Sequence, residues 1–182
     1  MTAASRNTVR SFDGLLEEID RATQLANQPE RSAARADTVS HWGVQQQLDH
    51  LLITDEAILA GLRRGLAGEL PARAQGRPTF MGQLILWAGF IPRGKGRAPE
   101  FVLPGDRPAA ELAAGFTALR RDYEALTDSL GDIERNKGTQ PHPILGHFTG
   151  AQWLRFAHLH HRHHWKIIDD ILSAQAVEAP DR

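Results

Sequence analysis

Residues 109–130 read AAELAAGFTALRRDYEALTDSL and carry the pattern that decides the fold. Large side chains recur along this stretch at alternating intervals of four and three positions, at Leu112, Phe116, Leu119, Tyr123, Leu126 and Leu130. This spacing places them on one stripe of an α-helix, and the alternation is typical of helices that pack at about 20° to their neighbours. We therefore predict a bundle helix over residues 107–130, with Gly131 as its C-terminal cap.

Three further stretches show helical periodicity and complete a set of four long helices. They cover residues 12–27, 43–66 and 150–175. Ser40 is a candidate cap for the second helix. Thr149, with Gln152 three residues on, resembles a capping box for the fourth.

An irregular insert, residues 68–108, separates the second and third long helices. It holds six of the ten prolines and one short apolar helix, predicted over residues 80–90. No stretch indicates a convincing strand. The predicted fold is therefore all-α, a four-helix bundle with a long insert between the second and third long helices. It forms a single domain over residues 1–182, with frayed termini at about 1–10 and 176–182.

Composition and charge exclude several classes of protein. The 182 residues include 21 Lys plus Arg and 22 Asp plus Glu, so the net charge of −1 gives no reason to expect nucleic acid or an acidic membrane as a partner. The absence of cysteine excludes disulfides, thiolate metal sites and a cysteine nucleophile. Residues 1–10 lack the apolar core of a signal peptide, and the longest apolar run, residues 84–91, is too short to span a bilayer. We expect a cytoplasmic protein.

Histidine is the unusual residue, since five of the nine fall within residues 154–165. At about 100° per residue, His160 and His164 fall on the inward seam of the fourth helix. The other members of that seam are Trp153, Ala157, Ile167 and Ile171. By the same geometry His161 and His163 lie on the two shoulders of this face, and His158 lies on the solvent side.

A histidine pair one turn apart on an inward face presents two imidazoles to one ion. The alternative is a neutral core pair satisfied by hydrogen bonds. Among the histidines outside the string, His50 is the best placed third ligand, because its neighbours on that side of the second helix are small: Thr54, Ala57 and Gly61. Taken alone, His50 would be interpreted as a partly exposed helix residue.

Several motifs carry a resemblance to a known family. They are WGVQQQLDHL at residues 42–51, IPRGKG at 91–96 and HPILGHFT at 142–149, followed by Trp153 and by HHRHH at 160–164. In this combination and order the chain resembles the DinB/YfiT-like superfamily, and in particular its branch named domain of unknown function 1569. The resemblance covers nearly the whole chain.

The resemblance implies a four-helix bundle that holds a divalent metal through three histidines, at positions that match His50, His160 and His164. Relatives in the superfamily include S-transferases and isomerases that act with low-molecular-weight bacterial thiols. The chain departs from its relatives at three places: Ile167 replaces a usual Gln, His147 replaces a frequent Lys, and His161-Arg162 replaces an apolar–acidic pair.

Two functions follow as hypotheses. The first is a metal-dependent enzyme, S-transferase-like or hydrolase-like, that uses zinc or nickel on a small molecule, with a low-molecular-weight thiol as the candidate substrate. The second is a non-catalytic, stress-associated, metal-binding dimer. An enzyme requires a pocket that opens onto the ion, walled by residues 68–104, whereas a structural site is closed by a fourth protein ligand.

The residues that would carry out catalysis are not identified by the sequence. Asp49 and His163 are candidates for orienting a ligand or acting as a general base, but a solvated carboxylate and a shoulder residue are the more ordinary interpretations. Because neutral imidazole binds metals, we expect metal affinity to weaken below the usual histidine pKa of about 6.5.

A homodimer is also expected. The fourth helix carries more apolar residues than one seam requires, namely Leu154, Trp165, Ile168 and Leu172, and superfamily relatives often dimerise.

Overall fold

The chain folds as helices packed in a bundle, with one short hairpin. A computed structural model describes residues 3–70, 76–94 and 98–178. The helices are α1 (Arg6–Ala26), α2 (Pro29–Ser32), α3 (Val44–Leu66), α4 (Phe80–Ala88), α5 (Ala109–Glu124), α6 (Leu130–Arg135) and α7 (Gly150–Glu178). The antiparallel strands β1 (Thr139–His142) and β2 (Gly146–Thr149) precede α7, and 3₁₀ turns cover Glu100–Val102 and Thr127–Ser129. The predicted all-α class is confirmed.

The four long helices form the bundle. Each helix contacts two neighbours: α1 packs on α5, α5 on α3, α3 on α7, and α7 on α1. The predicted inward direction of the third long helix's apolar stripe is confirmed. Its six residues are between 0% and 6% exposed: Leu112, Phe116, Leu119, Tyr123, Leu126 and Leu130. Among the described residues, no helix combines the length and the apolar composition needed to cross a membrane.

The third long helix is shorter than predicted. It ends at Glu124, and a 3₁₀ turn leads into α6, so that Gly131 lies inside α6 instead of capping the helix. The hydroxyl of Thr127 donates to the Glu124 carbonyl oxygen at 2.6 Å, and the Leu126 N–H donates to the Tyr123 carbonyl oxygen at 2.8 Å. These bonds take up carbonyl groups that a continuous helix would use.

Helix caps explain the other differences in boundaries. α1 begins at Arg6, six residues before the predicted start. Ser5 caps it, since Ser5 Oγ accepts a hydrogen bond from the Thr8 N–H. The first turn is polar, so apolar periodicity does not reveal it. Gly43 precedes α3 in place of Ser40, and the side chain of Gln46 accepts from its N–H.

The predicted capping box of α7 is confirmed. The Thr149 N–H donates to Gln152 Oε1 at 2.9 Å, and the Gln152 N–H donates to Thr149 Oγ1 at 3.4 Å. This cap fixes the start of the helix that carries the histidine string.

The hairpin was not predicted. Its strands have four residues each and include Pro141, which has no N–H to donate. The turn is closed by His142, whose Nδ1 accepts hydrogen bonds from the N–H groups of Ile144 and Leu145 at 3.2 Å. The hairpin depends on the pairing of its two strands and on the side chain of His142. Hydrophobic periodicity indicates neither.

The apolar residues on which the dimer prediction was based lie mostly inside this single chain. Leu154 and Ile168 are 0% exposed and Trp165 is 3% exposed, while Leu172 is partly buried. They pack there because α7 contacts both α1 and α3. Three of the four residues are therefore used for packing within the chain.

Candidate metal centre

Three histidines from two neighbouring helices meet between α3 and α7. His50 lies in the first half of α3, and His160 and His164 lie one turn apart on α7. The Nε2 atom of His160 lies 3.3 Å from Nε2 of His50 and 3.1 Å from Nε2 of His164. One ring nitrogen of each residue lies within 4.8 Å of the other two. The structure thus brings together the three residues that the sequence singled out as metal ligands, and this group could hold a metal ion.

The other ring nitrogen of two of these histidines faces a hydrogen-bond acceptor. His50 Nδ1 lies 2.7 Å from the carbonyl oxygen of Val102, and His164 Nδ1 lies 2.6 Å from Oε1 of Gln47. The Gln47 amide is oriented by its nitrogen, which donates to the carbonyl oxygen of Trp42 at 3.4 Å. Because a carbonyl oxygen only accepts, each Nδ1 carries the proton and donates it.

These protons leave Nε2 of His50 and of His164 as bare lone pairs on neutral rings. Burial lowers the pKa of His50 from the usual 6.5. Burial first, and the neighbouring imidazoles second, hold the pKa of His160 and of His164 well below 6.5. Neutral imidazole is the form that binds a metal, so this site is ready to bind at a lower pH than free histidine would be.

The cluster does not satisfy its own polar atoms. A proton on His160 Nε2 can point to only one of the two facing lone pairs, and His160 Nδ1 is buried with no hydrogen-bond partner in the described part of the chain. Whichever nitrogen of His160 is protonated, a buried polar atom stays unpaired. Buried polar groups in proteins are nearly always paired. A bound cation would account for the lone pairs that a core pair satisfied by hydrogen bonds leaves without a donor.

A divalent cation fits the arrangement. Two imidazole nitrogens on a tetrahedral zinc at the usual distance of about 2.05 Å lie about 3.3 Å apart. The separations of 3.3 and 3.1 Å from His160 Nε2 to the other two Nε2 atoms match that value, and the remaining pair of ligand nitrogens, on His50 and His164, lies within 4.8 Å. Within the described part of the chain, no carboxylate or fourth histidine joins the group. Three histidines with an open position are typical of catalytic zinc sites.

Aromatic rings border the cluster. The ring centroid of Trp42 lies 5.1 Å from that of His50. Phe156 stacks on His160 with centroids 5.4 Å apart. His160 keeps an intermediate exposure, whereas His50 and His164 are buried. Apolar rings thus lie against His50 and His160, and His160 marks the side of the cluster nearest to solvent.

The insert borders the cluster at two points. Val102 supplies the carbonyl oxygen that accepts from His50, and Ile91 supplies the one that accepts from His163 Nδ1 at 3.0 Å. The partly exposed position of His163 agrees with its predicted place on a shoulder of α7. Its ring centroid lies 5.1 Å from that of His164.

Two surface pockets lie away from the cluster. One, of about 520 Å³, opens between the start of α1, α4 and the start of α7. The other, of about 580 Å³, runs along α1 beside His158. None of the three clustered histidines lines either of them. Neither is therefore the pocket, walled by residues 68–104, that an enzyme was expected to open onto the ion.

Asp49 is not the solvated carboxylate that the sequence favoured. It is 2% exposed, its Oδ2 accepts from the Gly105 N–H at 2.7 Å, and its Oδ1 lies 3.1 Å from Nε of Arg107. Its carboxylate holds the end of the insert against α3. Because Oδ2 is hydrogen-bonded to the backbone and Oδ1 faces the Arg107 guanidinium, Asp49 is not positioned as a free base.

His161 is the main residue whose place the sequence analysis misjudged. It is fully buried instead of lying on a shoulder, and its Nε2 donates to Oδ2 of Asp55 at 2.5 Å. Its flank of α7 is covered because α7 packs on two helices. One signal was available, since Asp55 interrupts the apolar stripe of α3 between Leu52 and Ile58, where a charge needs a partner.

His158 also differs from its predicted position. Its side chain is partly buried against α1, where a Cβ on Gly14 would lie 2.5 Å from the imidazole. The glycine allows this close approach of α1 and α7. His158 is separate from the metal-ligand candidates and serves as a natural control for them.

The fold and the cluster together define an all-α bundle with a three-histidine group between two adjacent helices. Comparison with protein families matches residues 6–168 to the DinB superfamily. The chain belongs to that superfamily. Neither the comparison with curated proteins nor the one with solved structures gives a significant match.

Proposed function

We propose that this chain binds a divalent metal ion, zinc or nickel, through His50, His160 and His164, and that it is a metal-dependent enzyme acting on a small molecule. One observation carries the proposal. The Nε2 lone pairs of His50 and His164 converge with Nε2 of His160, while acceptors fix the protons of the outer two rings on Nδ1. Within the superfamily, the motifs at residues 42–51 and 142–149 support the domain of unknown function 1569 branch.

The reaction we propose is S-transfer with a low-molecular-weight thiol, or hydrolysis. A bound divalent ion with an open position supplies Lewis acidity, which lowers the pKa of a coordinated water or thiol. The chain itself supplies the orientation of the rings. Gln47 and the Val102 carbonyl hold two of them, and such outer contacts commonly change metal affinity by 10–100-fold when removed. Trp42 and Phe156 provide apolar surface beside His50 and His160.

The second candidate is a non-catalytic metal-binding bundle. It is favoured by the burial of His50 and His164, and the two surface pockets described above do not include the clustered histidines. In this case the ion would stabilise the contact between α3 and α7 and no turnover would occur.

Metal binding is tested with untagged protein. We expect about one equivalent of zinc or nickel by elemental analysis, and calorimetric titration of the metal-free chain with Zn²⁺ to reproduce that stoichiometry. His50→Ala, His160→Ala and His164→Ala should each lose the tight site, because two imidazoles cannot replace three. His158→Ala, on the same helix, should keep it. Full occupancy in His160→Ala would refute the assignment.

Catalysis is tested separately on the metal-loaded chain. A panel of low-molecular-weight thiols paired with small electrophiles, and a panel of ester and amide substrates, should yield turnover that His160→Ala abolishes. Stoichiometric metal without turnover on either panel would favour the non-catalytic candidate.

A further inference from the structure

The outward face of α4 is apolar and has no partner among the residues that the structure describes. Its exposed side chains are Phe80 at 80%, Met81 at 46%, Leu84 at 40%, Trp87 at 82% and, just beyond the helix, Phe90 at 54%. Phe80, Leu84 and Trp87 follow one another at intervals of four and three, so they form one stripe. We call these five side chains the α4 patch.

The opposite face of α4 is fixed to the bundle. Ile85 and Leu86 are buried, and Arg155 of α7 donates from Nε to the Leu86 carbonyl oxygen at 2.6 Å. Thr79 caps the helix, and its own N–H donates to the Leu145 carbonyl oxygen at 2.8 Å. Since these contacts hold α4 from behind, the helix cannot turn its patch inward, and the patch is presented as a preorganised surface.

The area of the patch matches what a dimer requires. From the fractional exposures, the five side chains present about 600 Å². This is the upper end of the largest apolar patch found on monomeric proteins, about 300–600 Å². Two such patches in contact bury about 1,200 Å², the lower end of stable protein interfaces.

The charges around α4 favour a second copy over a membrane surface. Residues 80–88 contain no charged side chain, whereas helices that lie on membranes carry Lys and Arg on their polar face. Arg93 is bound to Asp170 at 2.6 Å, and Arg155 is engaged by α4 itself. An uncharged stripe of aromatic and aliphatic side chains is complementary to itself about a two-fold axis.

We propose that the α4 patch is the contact between two copies of this chain, which pack α4 against α4 in a symmetric dimer. The proposal does not rest on the metal centre. It assigns the interface to the insert, not to the face of α7 that the sequence suggested.

Sedimentation equilibrium of the full chain at micromolar concentration should give twice the chain mass of 20.1 kDa. In Phe80→Glu/Trp87→Glu, two carboxylates would be buried in an apolar contact, so dimer affinity should fall more than about 100-fold. Val39→Glu introduces the same charge at an exposed valine outside the patch and should leave the dimer intact. A wild-type mass of 20.1 kDa, or a double variant that stays dimeric, would overturn the proposal.

A second measurement does not depend on that variant folding. Because the chain contains no cysteine, a single Leu84→Cys places one thiol at the centre of the patch. Mild oxidation should link most Leu84→Cys chains into covalent dimers, while Val39→Cys should stay monomeric. Absence of the link, or equal linking of both variants, would contradict the interface. Cosedimentation of a monomeric wild type with phosphatidylcholine–phosphatidylserine vesicles would assign the patch to a membrane instead and overturn the dimer.

Discussion

Two buried polar pairs join α3 to α7 next to the histidine cluster. Gln47 pairs with His164, and Asp55 pairs with His161, at 2.6 and 2.5 Å. Gln47 precedes Asp55 along α3, whereas their partners His164 and His161 come in the opposite order along α7, as expected for antiparallel helices. The two pairs therefore fix the axial position of one helix against the other, and that position decides whether His50 meets His160.

At the residue scale, removing Asp55 should be costly. Asp55→Ala leaves His161 buried without a partner, and breaking a buried pair in this way costs about 3–5 kcal/mol. Asp55→Asn keeps an acceptor and should cost less. Urea unfolding in EDTA followed by circular dichroism measures both. Glu56→Ala, at the next and exposed position, should change stability by less than about 0.5 kcal/mol. A loss below about 1 kcal/mol in Asp55→Ala would show that the pair does not hold the helices.

At the element scale, the hairpin positions the start of α4. The His147 N–H donates to the Arg77 carbonyl oxygen at 3.1 Å, next to Gly146 in the turn. Gly146 has φ +85°, and a Cβ there would lie 2.5 Å from that carbonyl oxygen and 2.7 Å from the Thr79 nitrogen. The position thus combines a left-handed conformation with a backbone contact that only glycine permits.

Gly146→Ala should therefore destabilise the chain by about 3 kcal/mol or more, because the conformational penalty and the collision with backbone atoms add. Gly68→Ala is the matched control. Its φ of +74° is similar, but no described residue lies within 4 Å of its Cβ position, so only the conformational cost of about 1 kcal/mol applies. Thermal and urea unfolding compare the two. Equal losses would show that the hairpin does not contact α4 closely.

At the scale of the whole molecule, burial keeps histidines neutral. It lowers the pKa of six of them: His50, His142, His158, His160, His163 and His164. For His142 the fall is from 6.5 to about 4. Between those two values the unfolded chain binds more protons than the folded chain. The contribution of His142 to the free energy of unfolding is therefore fully present above pH 6.5, and it is lost as the pH falls toward 4.

The expected loss from His142 alone is up to about 2 kcal/mol between pH 7 and pH 5. Urea midpoints in EDTA at pH 7, 6 and 5 measure it. His142→Asn, which keeps an acceptor for the turn but does not titrate, should lose less stability over the same interval. A wild-type stability that is flat from pH 7 to pH 5 would contradict the burial of these rings as neutral groups.

The sequence by itself determined the features that depend on one helix at a time. The four-and-three spacing from Leu112 to Leu130 established the bundle, because that spacing survives even where the chain tightens into a 3₁₀ turn. The i, i+4 spacing placed His160 and His164 on one face of α7, and the Thr149–Gln152 cap was visible from residue types alone. Each follows from local geometry of the backbone.

The tertiary structure alone decided what depends on two elements at once. The distance of 3.3 Å between His50 and His160 requires the axial register of α3 against α7, and no single-helix pattern encodes that register. Burial of His161 requires α1 and α3 to cover both flanks of α7. The exposure of Trp87 follows because α4 packs on the bundle through one face only, although the helix is apolar on both. Helical periodicity predicts the direction in which a side chain leaves the axis of its own helix. Only the packing of the helices decides which residues, or solvent, that side chain meets.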